Sequence, residues 1–357
     1  MFNGAQLETR KELRRGSVLT YFGRSTRSEL LPALTRTGWG VVLCGRRGAS
    51  LARDVVAGGS EGALLIDPAQ YDPAGAADFE GQEPKDYWLR VQLDHQVSAY
   101  LTPTTGFVGK RDQAAVRDIL RSGEEFERQV RRQESTGPVF TVLPLDGRVL
   151  GREVAWLIRT LTAHSCPVGL VLADPTNPLD RPGAVEGLVH LLQALPSTAL
   201  LRTDLSGLAA VANGAWFGAI GTTSSSRHLV PPGRRAGGRW GDPSPTVSVP
   251  SFADYRRGSL LERLESAGDL LACSCSVCSG ANLSRFGDPL LRDEAILHSW
   301  FSTTNLANAL LGYPDADRPS IWSRVCKAAL DAVAVVEERT GVPLGSHAYV
   351  RAWAALA

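Results

Sequence analysis

Short apolar runs alternate with helical patterns through most of the chain, and this alternation constrains the fold more than any other feature. The runs are Trp39–Gly45, Gly62–Asp67, Trp88–Asp94, Ser98–Pro103, Val139–Asp146, Pro167–Asp174, Thr198–Asp204 and Trp216–Thr223. Each is rich in Val, Leu and Ile and bounded by Gly, Pro or Asp, the pattern of strands buried on both faces. Helical patterns lie between most of them, at Ser28–Thr37, Asp112–Gln133, Arg152–His164, Ala184–Leu195 and Ser206–Asn213. Strand–helix alternation predicts parallel βα units. Eight such strands between residues 39 and 223 suit an α/β fold of the (β/α)8 TIM-like barrel type, with a doubly wound open sheet as the runner-up. The expected organisation is a barrel over residues 1–225, a loop and zinc-binding subdomain over 226–311, and a C-terminal helix completing the barrel over 312–357.

The bulk numbers exclude several classes. A net charge of +1 over 357 residues creates no global field toward nucleic acid or membrane, so a polyanion site must be a local patch. No apolar run is long enough to span a bilayer, and "MFNGAQLETRKELRRG" has no apolar core of a signal peptide. A reducing, cytoplasmic location is the expectation, and there clustered cysteines hold metal or do redox chemistry more often than they form disulfides.

Three of the six cysteines fall in "LLACSCSVCSG". Cys273, Cys275 and Cys278 with His298 give C-x-C-x2-C-x19-H, a ligand set for a closed tetrahedral Zn(II) with no position left for water, hence structural. An iron–sulfur cluster with mixed ligands, a redox thiol pair and unrelated buried cysteines are the alternatives. Cys44, Cys166 and Cys326 lie in apolar runs and read as small core residues. Two helices follow, Arg292–Leu311 and Ser320–Arg339; the second is capped by Ser320, stopped by Gly341, and striped by Ile321, Val325, Ala329, Ala332 and Val336.

Five runs end in aspartate: Asp67, Asp94, Asp146, Asp174 and Asp204. In a parallel barrel these ends converge on the catalytic face, although an Asp after a strand also starts turns and caps helices. Arg202 on a buried strand needs a carboxylate partner, which Asp204 or another carboxylate at the barrel mouth could supply. Between Thr222 and Leu260 there are six arginines and two acids. With the hydroxyls of "GTTSSSRH", Arg227 and His228 form a candidate phosphate contact, against the plainer reading of an exposed polar loop. No glycine fingerprint for ATP or NAD follows any strand.

Around the cysteines, the sequence resembles the tRNA-guanine transglycosylases, which are (β/α)8 barrels with a C-x-C-x2-C…H zinc subdomain after the last strand. "ILHSWFSTTNL" (Ile296–Leu306) is similar to the family's histidine-bearing stretch, and the match is best over residues 270–310. The resemblance implies that Asp67 in "LLIDPAQY" corresponds to the aspartate that handles the proton on the base. It places "PVGLVLAD" (Pro167–Asp174) at the base-recognition strand. It also implies that "GAWFGAIGTT" carries Ala219 where the family has its nucleophilic aspartate. Alanine cannot form a glycosyl ester. Two readings follow. In one, the protein acts on a nucleobase N-glycosidic bond in tRNA, DNA or a nucleotide, with a small nucleobase as a further partner and without covalent attack: Asp67 and Asp204 are catalytic, and Asp94, Asp174, Arg202, Arg227 and His228 bind substrate. In the other, it is a non-catalytic zinc barrel that binds nucleic acid or serves as an accessory subunit in a homo- or heterodimer.

Overall fold

The structure, a computed structural model, describes residues 12–35, 39–72, 84–110, 112–234 and 241–356. Eight parallel strands form one sheet: β1 (Ser17–Phe22), β2 (Gly40–Cys44), β3 (Leu64–Asp67), β4 (Tyr100–Leu101), β5 (Val139–Asp146), β6 (Val168–Ala173), β7 (Thr198–Thr203) and β8 (Phe217–Gly221). The order β3-β2-β1-β8-β7-β6-β5-β4 brings β3 round to β4 and makes a nearly closed barrel with helices outside. β1 sits between β2 and β8, with Leu19 opposite both Gly40 and Ala219.

At the β3–β4 seam a single residue supplies part of the missing ladder. The Ser98 N–H donates to the Leu64 carbonyl at 2.8 Å, and the Leu64 N–H donates to Ser98 Oγ at 3.0 Å. The Gln92 amide reaches the next rung from a helix: Nε2 donates to the Leu101 carbonyl and Oε1 accepts from the Leu101 N–H. A side-chain amide thus satisfies both backbone groups of a short edge strand, which would otherwise be buried without partners.

Seven of the expected strands form where the apolar runs predicted them. Two corrections stand beside them. Trp88–Asp94 is not a strand but the body of helix Pro84–Asp94. The strand that makes up the eight is β1, from "SVLTYF". The helix Gln113–Arg132 has Asp112 at its N-cap, accepting from the Ala115 N–H at 3.0 Å. Residues 36–37, at the end of the first expected helix, lie outside the described residues.

The barrel interior is filled by Leu19, Val42, Leu65, Phe140, Val142, Leu201 and Phe217, among others. It is a packed core, not a pore. The outer faces of the strands pack against the helices. The last long helix, Arg318–Thr340, joins two cores: Trp322, Cys326 and Ala329 pack with the barrel's outer layer, while Val333 and Val336 pack with the cysteine subdomain. Its buried face is therefore turned from the expected one: Ile321, Val325 and Ala332 are only half-buried, and Asp317 rather than Ser320 holds the N-cap position. Gly341, at φ +66°, ends the helix as expected. Among the described residues, no helix is long and apolar enough to cross a membrane.

Candidate functional site: a Cys3His centre and the barrel mouth

The cysteine segment forms a compact knuckle. Ala272 and Asn282 bridge in antiparallel fashion, Gly280 N–H donates to the Cys273 carbonyl at 2.8 Å, and Ser279 N–H donates to the Cys275 carbonyl at 2.8 Å. Left-handed Ser279 and Gly280, at φ +49° and +93°, turn the chain back. The knuckle faces helix Arg292–Leu311, which carries His298, and a hairpin of β9 (Thr246–Val249) and β10 (Asp254–Arg257).

The sulfurs of Cys273, Cys275 and Cys278 lie 3.6, 3.4 and 3.3 Å from His298 Nδ1. The four ligand atoms all fall within 4.8 Å of one another, a set that can hold a metal ion. A tetrahedral ion bonded at about 2.3 Å to sulfur and about 2.0 Å to nitrogen separates those atoms by about 3.5 Å, which is the spacing seen here. The imidazole is oriented for it. His298 Nε2 is 2.8 Å from the Ser248 carbonyl, which can only accept, so the proton sits on Nε2 and the Nδ1 lone pair points at the sulfurs. Phe286 packs over the ring at 5.4 Å, and Arg285, held by Glu294 at 2.8 Å, lies beside Cys278. Burial, and then the neighbouring cysteines, push the Cys278 thiol up to about 12. Three thiolates at this spot therefore require a cation.

At the C-terminal ends of the strands, four of the five sequence-selected aspartates share one arrangement. In each, Oδ1 accepts the backbone N–H two residues later: Asp67 from Ala69, Asp146 from Arg148, Asp174 from Thr176 and Asp204 from Ser206, all at 2.8–2.9 Å. These are turn-forming contacts. The second oxygen is engaged as well. Asp67 Oδ2 accepts the hydroxyls of Tyr21 at 2.7 Å and Tyr71 at 2.6 Å. Asp146 Oδ2 accepts from Arg148 Nη2, Asp174 Oδ2 accepts from Arg181 Nε at 2.7 Å, and Asp204 Oδ2 accepts from Asn177 Nδ2 at 2.6 Å. Asp94 does not join them: it ends an outer helix, exposed, because its segment is helical.

Asp67 is fully enclosed, and burial raises its carboxyl above the usual range despite the tyrosine and Ala69 hydrogen bonds. Arg202 pairs with Asp72 at 2.8 Å rather than with Asp204, and donates to the Ser225 carbonyl at 2.8 Å. The β7–β8 register shifts between Leu200 and Thr203, and Arg202 takes φ +52°; this bulge turns its guanidinium to the mouth. Asp72, Tyr21, Tyr71, Asn177 and Arg181 were not selected from sequence. Tyr71 and Asp72 follow Asp67 closely, but nothing in their spacing marks them.

Ala219 faces the filled interior of β8 with no exposed surface. Asp204, Ser206, Arg202, Arg227 and His228 line a cavity of about 10 Å³. That is room for roughly one water. Burial lowers the His228 imidazole, and Arg202 and Arg227 add to this against Asp204 and Asp174. A roomier cleft of about 940 Å³ opens at the opposite end of the barrel, among Arg14, Arg15, Trp39, Glu61 and Arg318. In this architecture that face serves stability.

Of the described arginines in the arginine-rich segment, Arg227 and Arg256 are buried, whereas Arg234 and Arg257 are exposed. Arg227 stacks on the Tyr255 ring at 3.4 Å, Arg256 donates to the carbonyls of Leu344 and Gly345, and Arg257 donates to the Ser244 carbonyl at 2.8 Å. Arg235 and Arg239 lie outside the described residues. Cys44, Cys166 and Cys326 are buried as expected, and Cys166 Sγ donates to Glu127 at 2.7 Å. No family model matches the chain, and no curated protein matches it.

Proposed function

We propose that the chain is a barrel of the transglycosylase type, braced by a structural Zn(II) at Cys273, Cys275, Cys278 and His298, that serves as a non-catalytic accessory subunit in nucleic-acid modification. One observation carries the accessory reading. The position where the resembled family keeps its nucleophile is Ala219, and it is sealed inside the packed barrel. The fully used strand-end aspartates point the same way, since none is left with an idle oxygen for a substrate. Zinc fits the ligand types, the 3.3–3.6 Å spacings and the oriented imidazole. The ion closes the knuckle onto helix Arg292–Leu311, and all four ligands being protein atoms, it activates no water.

A second reading, non-covalent cleavage or exchange at a nucleobase glycosidic bond, draws on a different observation. Ser206 Oγ and Arg202 Nε have no protein partner and line the same cavity as Asp204. In that reading Asp204 would stabilise positive charge on the sugar.

Incubation with labelled guanine and tRNA or duplex DNA separates the two. The accessory reading expects no exchange by the chain alone, together with complex formation with the nucleic acid or with an active transglycosylase subunit. Guanine exchange that disappears in Asp204→Asn would overturn it and establish the second reading.

A further inference from the structure

His347 stands between two carboxylates from different elements. Its Nδ1 is 3.0 Å from Asp180 Oδ2, in the 3-10 turn after β6, and its Nε2 is 3.4 Å from Asp254 Oδ2, at the start of β10. Both carboxylates also grip the next turn of chain. Asp180 Oδ1 accepts the Tyr349 N–H at 3.0 Å, and Asp254 Oδ1 accepts the Tyr349 hydroxyl at 2.8 Å. Arg256 is the other charged group facing the cluster: its Nη2 is 3.0 Å from Asp254 Oδ2, while the same guanidinium holds the Leu344 and Gly345 carbonyls. The Tyr349 ring lies 5.7 Å from the imidazole.

A neutral imidazole carries one N–H; here Nδ1 lies at hydrogen-bond distance from Asp180, while Nε2 stands at ion-pair distance from Asp254, whose carboxyl burial raises above its ordinary value. With an imidazolium, His347 and Arg256 balance Asp180 and Asp254. With a neutral ring, a carboxylate buried beside Tyr349 is left in excess, which is costly away from water. We infer that His347 is a protonated clasp that fastens residues 344–356 to the C-terminal face of the barrel, and that deprotonation loosens the segment while its core side chains Tyr349, Val350 and Trp353 stay packed.

The hydrogen bond to Asp180, helped by Asp254 and opposed by burial and Arg256, raises the imidazole above its ordinary value. A base raised on folding adds stability below its unfolded value and loses it as pH rises through the folded value. The clasp is therefore closed on the acid side and opens on the alkaline side.

Hydrogen exchange of the full chain, from about pH 6 to about pH 9 and corrected for intrinsic exchange, tests this. Protection of residues 344–356 is expected to fall roughly three- to tenfold through the His347 transition, the loss of one partly exposed charge-assisted hydrogen bond. The helix Gln113–Arg132, remote from the cluster, should not change. His347→Gln should remove the pH response and hold the segment in the open state. Unchanged protection across the range in the wild type, or the same response in His347→Gln, overturns the clasp.

Discussion

Replacing Asp67 by asparagine separates a buried acid from a structural hydrogen-bond hub. The carboxylate accepts three hydrogen bonds, from the Tyr21 and Tyr71 hydroxyls and the Ala69 N–H, with no exposed surface. In Asp67→Asn the amide oxygen keeps Ala69, and the amide hydrogens reach the two tyrosine oxygens, which can accept. The tyrosine protons are then left to each other across 3.4 Å, so the net loss is about one hydrogen bond, about 1 kcal/mol. Against this, the substitution removes a charge whose burial raises the carboxyl. For an acid raised on folding, the folded state keeps the proton longer, so stability falls as pH rises from the unfolded value through the folded one. Asparagine has no such slope. Urea unfolding should therefore place Asp67→Asn within about 1 kcal/mol of wild type at neutral pH, with the difference moving in favour of wild type as pH falls. Asp67→Leu leaves three buried donors without an acceptor and should cost at least about 3 kcal/mol. If asparagine is as damaging as leucine, or the asparagine-to-wild-type difference does not move with pH, the reasoning about this hub is wrong.

Ala219→Asp, which restores the carboxylate of the resembled motif, should not create activity; it buries a charge in the filled barrel and should destabilise by several kcal/mol in the same denaturation assay. Recovery of guanine exchange in this variant, with normal stability, would contradict the sealed-barrel account. A methyl group at Gly258 would overlap the Phe286 carbonyl, and Phe286 packs on the His298 ring. Gly258→Ala should cost about 1–3 kcal/mol and raise hydrogen exchange in the cysteine knuckle more than in β5 and β6.

Much of this was legible in sequence because the relevant residues cluster. Strands such as Val139–Asp146 and Val168–Ala173 are buried along their whole length, so their apolar runs are uninterrupted. Trp88–Asp94 reads as a strand because it is rich in Leu and Val and ends in Asp like the true strands, whereas its buried residues Trp88, Leu89 and Gln92 lie on one helical face. A buried glutamine that replaces a strand neighbour cannot be told from an exposed one without knowing the partner. β1 was missed because Thr20 and Tyr21 interrupt its apolar run; Thr20 is buried, and Tyr21 turns inward to Asp67. The three sulfur ligands were readable because they are near neighbours of one chemical kind, and His298 because it stands in the histidine-bearing stretch that follows them. Some partners at the mouth were not, since Tyr21 meets Asp67 across 46 positions, Asn177 meets Asp204 across 27, and Arg202 meets Asp72 across 130. His347, meeting Asp180 and Asp254 from the far end of the chain, left no local mark.

The central claim, that an ion held by three sulfurs and one imidazole ties the C-terminal third to the barrel, is tested most directly by elemental analysis of the purified full-length protein. About one zinc per chain is expected, falling sharply in Cys275→Ser with loss of protection in residues 270–300. Fully folded protein that carries no metal would contradict the account.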